Sequence, residues 1–267
     1  MRRWIVPLLL PLVGAALVLA GVIVGGQALR WRLRHHDRYT VAFSEIDCIP
    51  PDGVDRTRFL AEVRDQSGLP EALPVLDDDL PARLKTAFAH NPWVEKVEEA
   101  KVVQGKQVRV RLLYRTAVLA VPLAERTCGV DSAGVLLPKE VSLAGLPVWR
   151  GPVVMPPSHA GEVWGDGPLE AAAQVVGLLH PHQSSLHITA ARTANNEVTL
   201  TTLAGSRILW GHVQGKEKDG EAAASVKLDR LLDYARRQGN LDHPDGPIEH
   251  DVRNADKARA RSLRSER

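Results

Sequence analysis

The pattern of apolar and polar positions divides the chain into one long apolar stretch followed by short amphipathic elements. Residues 4–28 contain no charged side chain and are mostly Leu, Val, Ile, Ala and Gly. About 20 apolar residues span the roughly 30 Å hydrocarbon core of a bilayer, so this stretch predicts a single transmembrane helix. A cleaved signal peptide is the alternative, because Gly26-Gln27-Ala28 fits a cleavage site, although the apolar region of such peptides is usually only about 7–15 residues long.

The charges around the apolar stretch bear on its orientation. A basic stub, residues 1–3, precedes it, and a collar at residues 29–39 follows it with arginines at positions 30, 32, 34 and 38. A strict count of positive charges would place the collar in the cytoplasm. Because the stub is very short and charged, it should translocate poorly. We therefore expect the N-terminus inside and the bulk of the chain on the extracytoplasmic side of the cytoplasmic membrane.

The first folded region, residues 40–116, is predicted as a small module with the order β-α-α-β-β. Its first helix begins at Asp55 and its second near Asp77-Asp78-Asp79, and Asn91-Pro92 ends the second because proline disfavours a helical residue before it. A tight turn at Gln104-Gly105 joins the last two strands. The predicted strands are 41–48, 94–103 and 106–121, and the predicted helices are 55–66 and about 77–90. Two helices on a three-stranded sheet can bury one apolar layer.

The second region, residues 117–253, is predicted to be rich in β-structure with flanking helices. A Pro/Gly-rich stretch at 151–168 is predicted to join two halves. The expected helices lie at 169–179 and about 228–235, and the expected strands at 186–192, 198–203, 207–211 and 248–252. Residues 254–267 are charged and poor in apolar side chains, which predicts a disordered tail. The predicted fold class is therefore α+β, with the transmembrane helix preceding both domains.

Composition and motifs argue against catalysis and against nucleic-acid binding. The chain has 34 basic and 32 acidic residues, without the basic excess of a nucleic-acid binder. It has no phosphate-binding loop, nucleophile elbow or zinc-protease motif, so we expect no catalytic residues, cofactor or small-molecule substrate. Two metal-site alternatives exist. Asp77-Asp78-Asp79 more simply complements a helix N-terminus, and the histidines at 180, 182 and 187 lie near no acidic residue or cysteine in sequence.

Two cysteines, Cys48 and Cys128, leave two interpretations open. In an oxidising compartment they could form a disulfide. Because they are not part of a tight local framework of cysteines, the simpler interpretation is two small buried apolar side chains.

An ordered series of short motifs resembles the FtsQ/DivIB family of bacterial cell division proteins. The series covers roughly residues 40–253, and the module at 40–116 resembles the polypeptide-transport-associated (POTRA) domain of that family. The motifs are Phe43-Ser44-Glu45-Ile46, Asn91-Pro92-Trp93-Val94, Arg115 to Ala120, Val130 to Leu136, Leu146 to Gly151, Lys227 to Leu231 and Asp251-Val252-Arg253. The sequence departs from the family at Tyr114, Ala117 and Gln104-Gly105, where the family usually has Glu, Pro and an aromatic-Pro pair.

The resemblance implies a non-catalytic, single-pass scaffold of the division machinery that localises to the division site. Its expected partners are other membrane-anchored division proteins, similar to FtsB and FtsL, bound through the extracytoplasmic part. The resemblance implies that partner binding involves the C-terminal helix and strand, at Leu228, Leu231, Leu232, Ile248, Asp251, Val252 and Arg253. The alternatives are an envelope POTRA protein for transport or outer-membrane assembly, and a secreted protein released by signal cleavage.

Overall fold

The computed structural model describes residues 39–103, 106–254 and 259–263. These residues divide into two compact units, with the boundary between Leu113 and Tyr114. The predicted turn at Gln104-Gly105 lies outside the described residues.

The described residues of unit 1 form two helices and four strands. The strands are β1 (Thr40–Ala42), β2 (Ala72–Pro74), β3 (Val94–Val103) and β4 (Gln107–Tyr114), and the helices are α1 (Arg56–Ser67) and α2 (Leu80–Ala89). The Asp55 carboxylate caps α1 by accepting the Arg58 N–H at 2.9 Å. Gly68 ends α1 in the left-handed conformation, with φ of 66°. The predictions of both helices and of the strand at 94–103 are confirmed.

Three aromatic rings form the centre of the core of unit 1. The ring of Phe88 lies 6.1 Å from that of Phe43 and 6.1 Å from that of Phe59. All three side chains are buried. The apolar faces of α1 and α2 therefore meet the N-terminal segment of the unit over one aromatic cluster.

Two sequence predictions for unit 1, the strand over 41–48 and the element order, differ from the structure. The strand predicted over 41–48 is interrupted by a 3₁₀ turn at Phe43–Glu45, which buries Phe43. Beyond the turn, Asp47 pairs in parallel with β4, with its N–H donating to the Val108 carbonyl at 2.8 Å. An extra strand, β2, lies between the helices and pairs antiparallel with β1, so the order β-α-α-β-β is incomplete. A strand of three residues is too short to show a recognisable alternation of apolar and polar positions in the sequence.

Unit 2 contains an eight-stranded sheet. Its strands are β5 (Leu119–Pro122), β6 (Thr127–Val130), β7 (Val148–Trp149), β8 (Ile188–Ala194), β9 (Glu197–Thr202), β10 (Arg207–Gly211), β11 (Ile248–Asp251) and β12 (Arg259–Ser262). They lie in the order β12-β11-β10-β9-β8-β7-β5-β6. The helices are α3 (Gly167–Leu179), α4 (Gln183–Leu186) and α5 (Ala224–Gln238). The predicted helix at 169–179, the hairpin strands and the strand at 248–252 are confirmed.

The pairing directions follow from the connections. Hairpins join β5 to β6, β8 to β9 and β9 to β10, and these pairs are antiparallel. β10 and β11 are parallel, and α5 forms the crossover that a parallel pair requires. Helices α3 and α5 pack on a single apolar cluster that includes Trp149, Trp164 and Trp210.

Three further features of the structure differ from the sequence predictions. The strand predicted over 106–121 ends at Tyr114, and β5 begins at Leu119 in the other sheet, because the two halves pair with different strands. The stretch at 151–168 is part of unit 2, since Trp164 is buried in its core. Residues 259–262, predicted to be disordered, form β12, because main-chain pairing with β11 requires no apolar side chain.

The fold class predicted from the sequence is wrong as stated. Within residues 39–103, 106–254 and 259–263 no helix is long and apolar enough to cross a membrane, and these residues form a mixed α/β structure with a large eight-stranded sheet. The predicted transmembrane segment, residues 4–28, lies outside the described residues, as do the stub at 1–3 and the collar up to residue 38. Hydropathy reports only that a segment favours an apolar environment, so it does not establish a membrane-spanning helix.

Candidate functional site

The seven residues predicted to bind a partner lie together at one end of the eight-stranded sheet, but most of their side chains face inward. Leu231, Ile248 and Val252 are buried in unit 2. Leu228 and Leu232 are half-buried and pack against the same core. Asp251 and Arg253 are half-buried and pair with each other at 2.8 Å. The structure therefore brings these residues together, and three of the five apolar ones contribute to the core.

Strand β11 is not the edge of the sheet. It pairs in parallel with β10 on one side and antiparallel with β12 on the other. Among the residues that the structure describes, no strand pairs with the outer side of β12. The end of the sheet is thus formed by residues that the sequence analysis assigned to a tail.

The direction of the main-chain groups in β11 and β12 can be derived from three hydrogen bonds. Toward β10, the N–H of Ile248 donates to Ser206 Oγ at 3.1 Å, and the N–H of Val252 donates to the Leu209 carbonyl at 3.4 Å. On the opposite side, the N–H of Leu263 donates to the Pro247 carbonyl at 3.1 Å. Because successive residues of a strand alternate in direction, Glu249 and Asp251 face β12.

The same alternation defines the outer edge of β12. Arg259 and Arg261 stand opposite Asp251 and Glu249 in the register, so their main-chain groups face β11. The main-chain groups of Ala260 and Ser262 point away from the sheet. All four residues of β12 are exposed. Among the described residues, no second strand pairs with the outward main-chain groups of Ala260.

A ladder of charges crosses the last three strands on one face of the sheet. Glu249 on β11 lies between Arg207 on β10, at 3.0 Å, and Arg261 on β12, at 3.6 Å. The Glu249 side chain is only 15% exposed, whereas those of Arg207 and Arg261 are 45% and 66% exposed. In the next register position Asp251 pairs with Arg253, which lowers the pKa of the Asp251 carboxyl. Of these charges, the pair of Arg261 with Glu249 is a side-chain contact between β12 and β11.

A cleft of about 180 Å³ lies between α5 and β12. Arg237, Arg259 and Ala260 line it, together with Tyr234 and His250. The His250 ring makes an edge contact with Tyr234 at 4.5 Å between centroids, and its Nε2 lies 2.7 Å from the Leu241 carbonyl. Burial lowers the pKa of His250, which favours the neutral ring. The cleft leaves the inner side of β12 incompletely packed.

A buried ionic cluster fixes the start of α5, and the sequence analysis missed it. Lys227, on the buried face of the helix, pairs with Glu221 at 2.6 Å, and the two side chains are 0% and 7% exposed. The Lys227 ammonium also lies 5.4 Å from the Trp210 ring centroid. The His212 main-chain N–H donates to Glu221 at 2.8 Å. A lysine four and eight residues before Leu231 and Ala235, on the same helical face, was the signal in the sequence.

The pKa of Glu221 reflects this arrangement. Burial alone would raise the pKa, but hydrogen bonds from Lys227, from the His212 and Lys218 main chain and from the His212 side chain outweigh it and lower the pKa to about 2. Gly211 completes the enclosure, because a Cβ there would lie 2.2 Å from a Glu221 oxygen. The cluster therefore joins the loop after β10 to α5, the helix that precedes β11.

The two metal-site alternatives are placed as follows. Asp77 forms an ion pair with Arg83 at 3.3 Å beside the start of α2. His180 and His182 lie in a 3₁₀ turn after α3 and His187 ends α4. Among the described residues, no group of three His, Cys, Asp or Glu side chains is arranged to hold a metal ion. Cys48 and Cys128 are both buried free thiols.

Comparison with known proteins identifies no family for this chain. No protein-family model matches the sequence, and no curated protein matches it either. The resemblance to the FtsQ/DivIB family remains a prediction that depends on the ordered motifs.

Proposed function

We propose that the chain is a non-catalytic scaffold of the bacterial division machinery that binds other division proteins, similar to FtsB and FtsL, through unit 2. The motif series from Phe43 to Arg253 supports the family. The observation that carries the binding mode is the exposed outer edge of β12 at the end of the eight-stranded sheet. The proposed location is the division site, with the folded units on the extracytoplasmic side.

The binding mode that suits this edge is strand addition. An extended partner segment pairs with the outward main-chain groups of β12 around Ala260, and the main-chain hydrogen bonds supply affinity. An exposed edge invites pairing with other chains and is often blunted by charge. Arg259 and Arg261 supply that charge, and they favour a partner segment with acidic side chains.

The inward residues of the predicted site act indirectly in this proposal. Ile248 and Val252 are buried apolar side chains, so a deletion of 248–253 would damage the fold and would not report on binding alone. Leu231 and Leu232 hold α5 against the sheet. These residues position β11, which in turn positions β12.

The test is a proline in the outer edge. Ala260→Pro removes an N–H that points away from the sheet, a position where an edge strand tolerates proline. We expect partner capture in pull-down assays to be lost while thermal unfolding stays unchanged. Ala260→Ser retains the N–H and is the matched control. Wild-type affinity in Ala260→Pro would refute strand addition at this edge.

Cellular localisation tests the division assignment separately. A fluorescent fusion of the wild-type chain should concentrate at the septum. A uniform envelope signal would instead favour a POTRA protein of transport or outer-membrane assembly and would contradict the proposed function.

A further inference from the structure

The three core tryptophans of unit 2 differ in the bonding of their indole N–H groups. That of Trp149 donates to the Pro152 carbonyl at 3.0 Å, and that of Trp164 donates to the Val154 carbonyl at 3.2 Å. Trp210 is fully buried, and its Nε1–H has no hydrogen-bond partner within the part of the chain that the structure describes. Because burying an unpaired donor is costly, nearly all buried donors in proteins have an acceptor. The unpaired indole of Trp210 therefore indicates that an acceptor binds here.

Trp210 forms part of the lining of an open cleft of about 710 Å³ in unit 2, called here the Trp210 cleft. Residues of α3, of the turn after β6, of β10 and the loop after it, and of the start of α5 surround it. Its apolar part is lined by Val175 and Leu178 of α3 and by Ala224 of α5. Trp210 lies where the register between β10 and β9 shifts, and irregularities of this kind often redirect a side chain toward a functional site. The volume is in the range of small-ligand sites.

The polar side chains that line the Trp210 cleft are uncharged and exposed. They belong to Ser132, Gln174 and Gln214. The ammonium of Lys227 lies on one side of the Trp210 ring, but it is paired with Glu221. A carboxylate in the cleft would therefore find no free cation among the lining residues, and burying an unpaired charge is unfavourable. The lining favours a neutral ligand.

We infer that the Trp210 cleft binds a secondary amide, whose carbonyl accepts a hydrogen bond from the Trp210 indole. An indole N–H can only donate, whereas a glutamine side chain both donates and accepts. A secondary amide supplies an acceptor for the indole, an N–H for a glutamine oxygen and small apolar groups for Val175 and Leu178. The main chain of an extended peptide and the N-acetyl group of an amino sugar share this chemistry.

The route to the indole passes the two glutamines. Nε1 of Trp210 is closed to solvent, so the ligand carbonyl reaches it only when a neighbouring side chain rotates. Gln174 and Gln214 are exposed and able to do so. None of the lining residues is a histidine or a carboxylate, so the ligand is bound and not transformed. The inference does not depend on the proposed division function.

The indole N–H signals of the purified full chain, observed by NMR, test this inference directly. A hydrogen bond to an acceptor moves such a signal downfield, and Trp149 and Trp164 are internal controls because their N–H groups are already bonded. The probes are N,N′-diacetylchitobiose, which has acetyl amides on a sugar, and N-acetyl-alanyl-alanine N-methylamide, which has a peptide main chain. We expect an amide probe to move the Trp210 signal downfield while the two control signals stay in place. The probe that binds more tightly identifies the source of the amide.

Two further probes test the chemical class. Cellobiose has hydroxyl groups without an amide, and acetate is an anionic acceptor. Neither should move the Trp210 signal at the concentration at which the amide probe saturates. No shift with either amide probe, or an equal shift with cellobiose or acetate, would overturn the inference. A Trp210 signal that is already downfield in water and does not respond to the probes would show that an ordered water is the acceptor, and would overturn it as well.

Substitutions at the rim test the contact without altering the core. In calorimetric titrations with the tighter probe, we expect Gln174→Ala or Gln214→Ala to weaken binding by about two- to tenfold, as for the loss of a neutral hydrogen bond. Trp210→Phe should weaken it by a similar factor, with urea unfolding to verify that the variant is folded. Gln238→Ala, at the exposed end of α5 and outside the cleft, is the matched control and should bind as the wild type does. Wild-type affinity in both rim variants would refute binding in this cleft.

Discussion

Replacing Lys227 by methionine should destabilise unit 2 more than any surface charge change. Methionine keeps an unbranched side chain that is one atom shorter, and it removes the ammonium that lies 2.6 Å from Glu221. Removing one partner of a buried pair typically costs about 3–5 kcal/mol, because the other charge stays buried and unpaired. Methionine also loses the cation contact with Trp210.

The lowered pKa of Glu221 gives a second, independent value for the free energy by which this ionic cluster stabilises unit 2. It falls from 4.5 to about 2, and at about 1.4 kcal/mol for each pKa unit this is roughly 3 kcal/mol of stability at neutral pH. The folded-state pKa is lowered, so this stabilisation is present above pH 4.5 and is lost as the pH falls toward 2. About 2 kcal/mol of it should be gone by pH 3.

Urea unfolding followed by tryptophan fluorescence can measure both effects. Trp149, Trp164 and Trp210 lie in the core of unit 2, so their emission reports on this unit. We expect Lys227→Met to lose about 3 kcal/mol at pH 7 and much less at pH 3. The double variant with Glu221→Gln should recover part of the loss, because no charge then remains buried and unpaired.

A matched control is Arg236→Gln, which breaks the exposed pair of Arg236 with Asp233 on the same helix. It should change stability by less than about 1 kcal/mol. If Lys227→Met were no more destabilising than this control, or if its effect were the same at pH 7 and pH 3, the buried pair would not be what fixes the start of α5.

Two further predictions concern packing and the thiols. In α3, Gly177→Ala should destabilise unit 2 by about 1–3 kcal/mol despite the better helix propensity of alanine, because the new Cβ would lie 2.4 Å from the Ser132 Cβ. In thermal unfolding, Ser132→Gly should partly rescue this variant. An unaltered unfolding midpoint for Gly177→Ala would refute the contact. Burial raises the pKa of the Cys48 thiol to about 11, and Cys128 is buried as well. A thiol reagent at pH 8 should therefore modify both cysteines only after denaturation. Rapid modification of the folded chain would contradict their burial.

The helices and the hairpin strands could be predicted from the sequence because their signals are local. Asp55 and Gly68 mark the ends of α1 through interactions within one turn of the helix. The alternation at 198–202 indicates one buried face, and Val198 and Leu200 are indeed buried in the core. A period in the sequence determines which side chains share a face, whatever the rest of the chain does.

Edges and short strands could not be predicted, because they depend on pairing between distant residues. β2 has three residues and β12 buries none, so neither carries a hydrophobic period. Residues 106–121 have one continuous pattern, yet their two ends pair in different sheets. A strand pattern gives a residue's face and not the identity of its neighbour.

The candidate site shows the same division. The apolar spacing of Leu228, Leu231 and Leu232 specified an amphipathic helix, and the sequence by itself determined that this helix would bury one face. Only the tertiary structure decided that β11 is an inner strand and that the edge belongs to β12. It also decided that Lys227 would lie at the buried start of α5, because Glu221 and the His212 main chain reach it only when the loop after β10 is folded. Local patterns set which side chains avoid water, whereas the position of an edge and the pairing of a buried charge depend on contacts that form only when the sheet is complete.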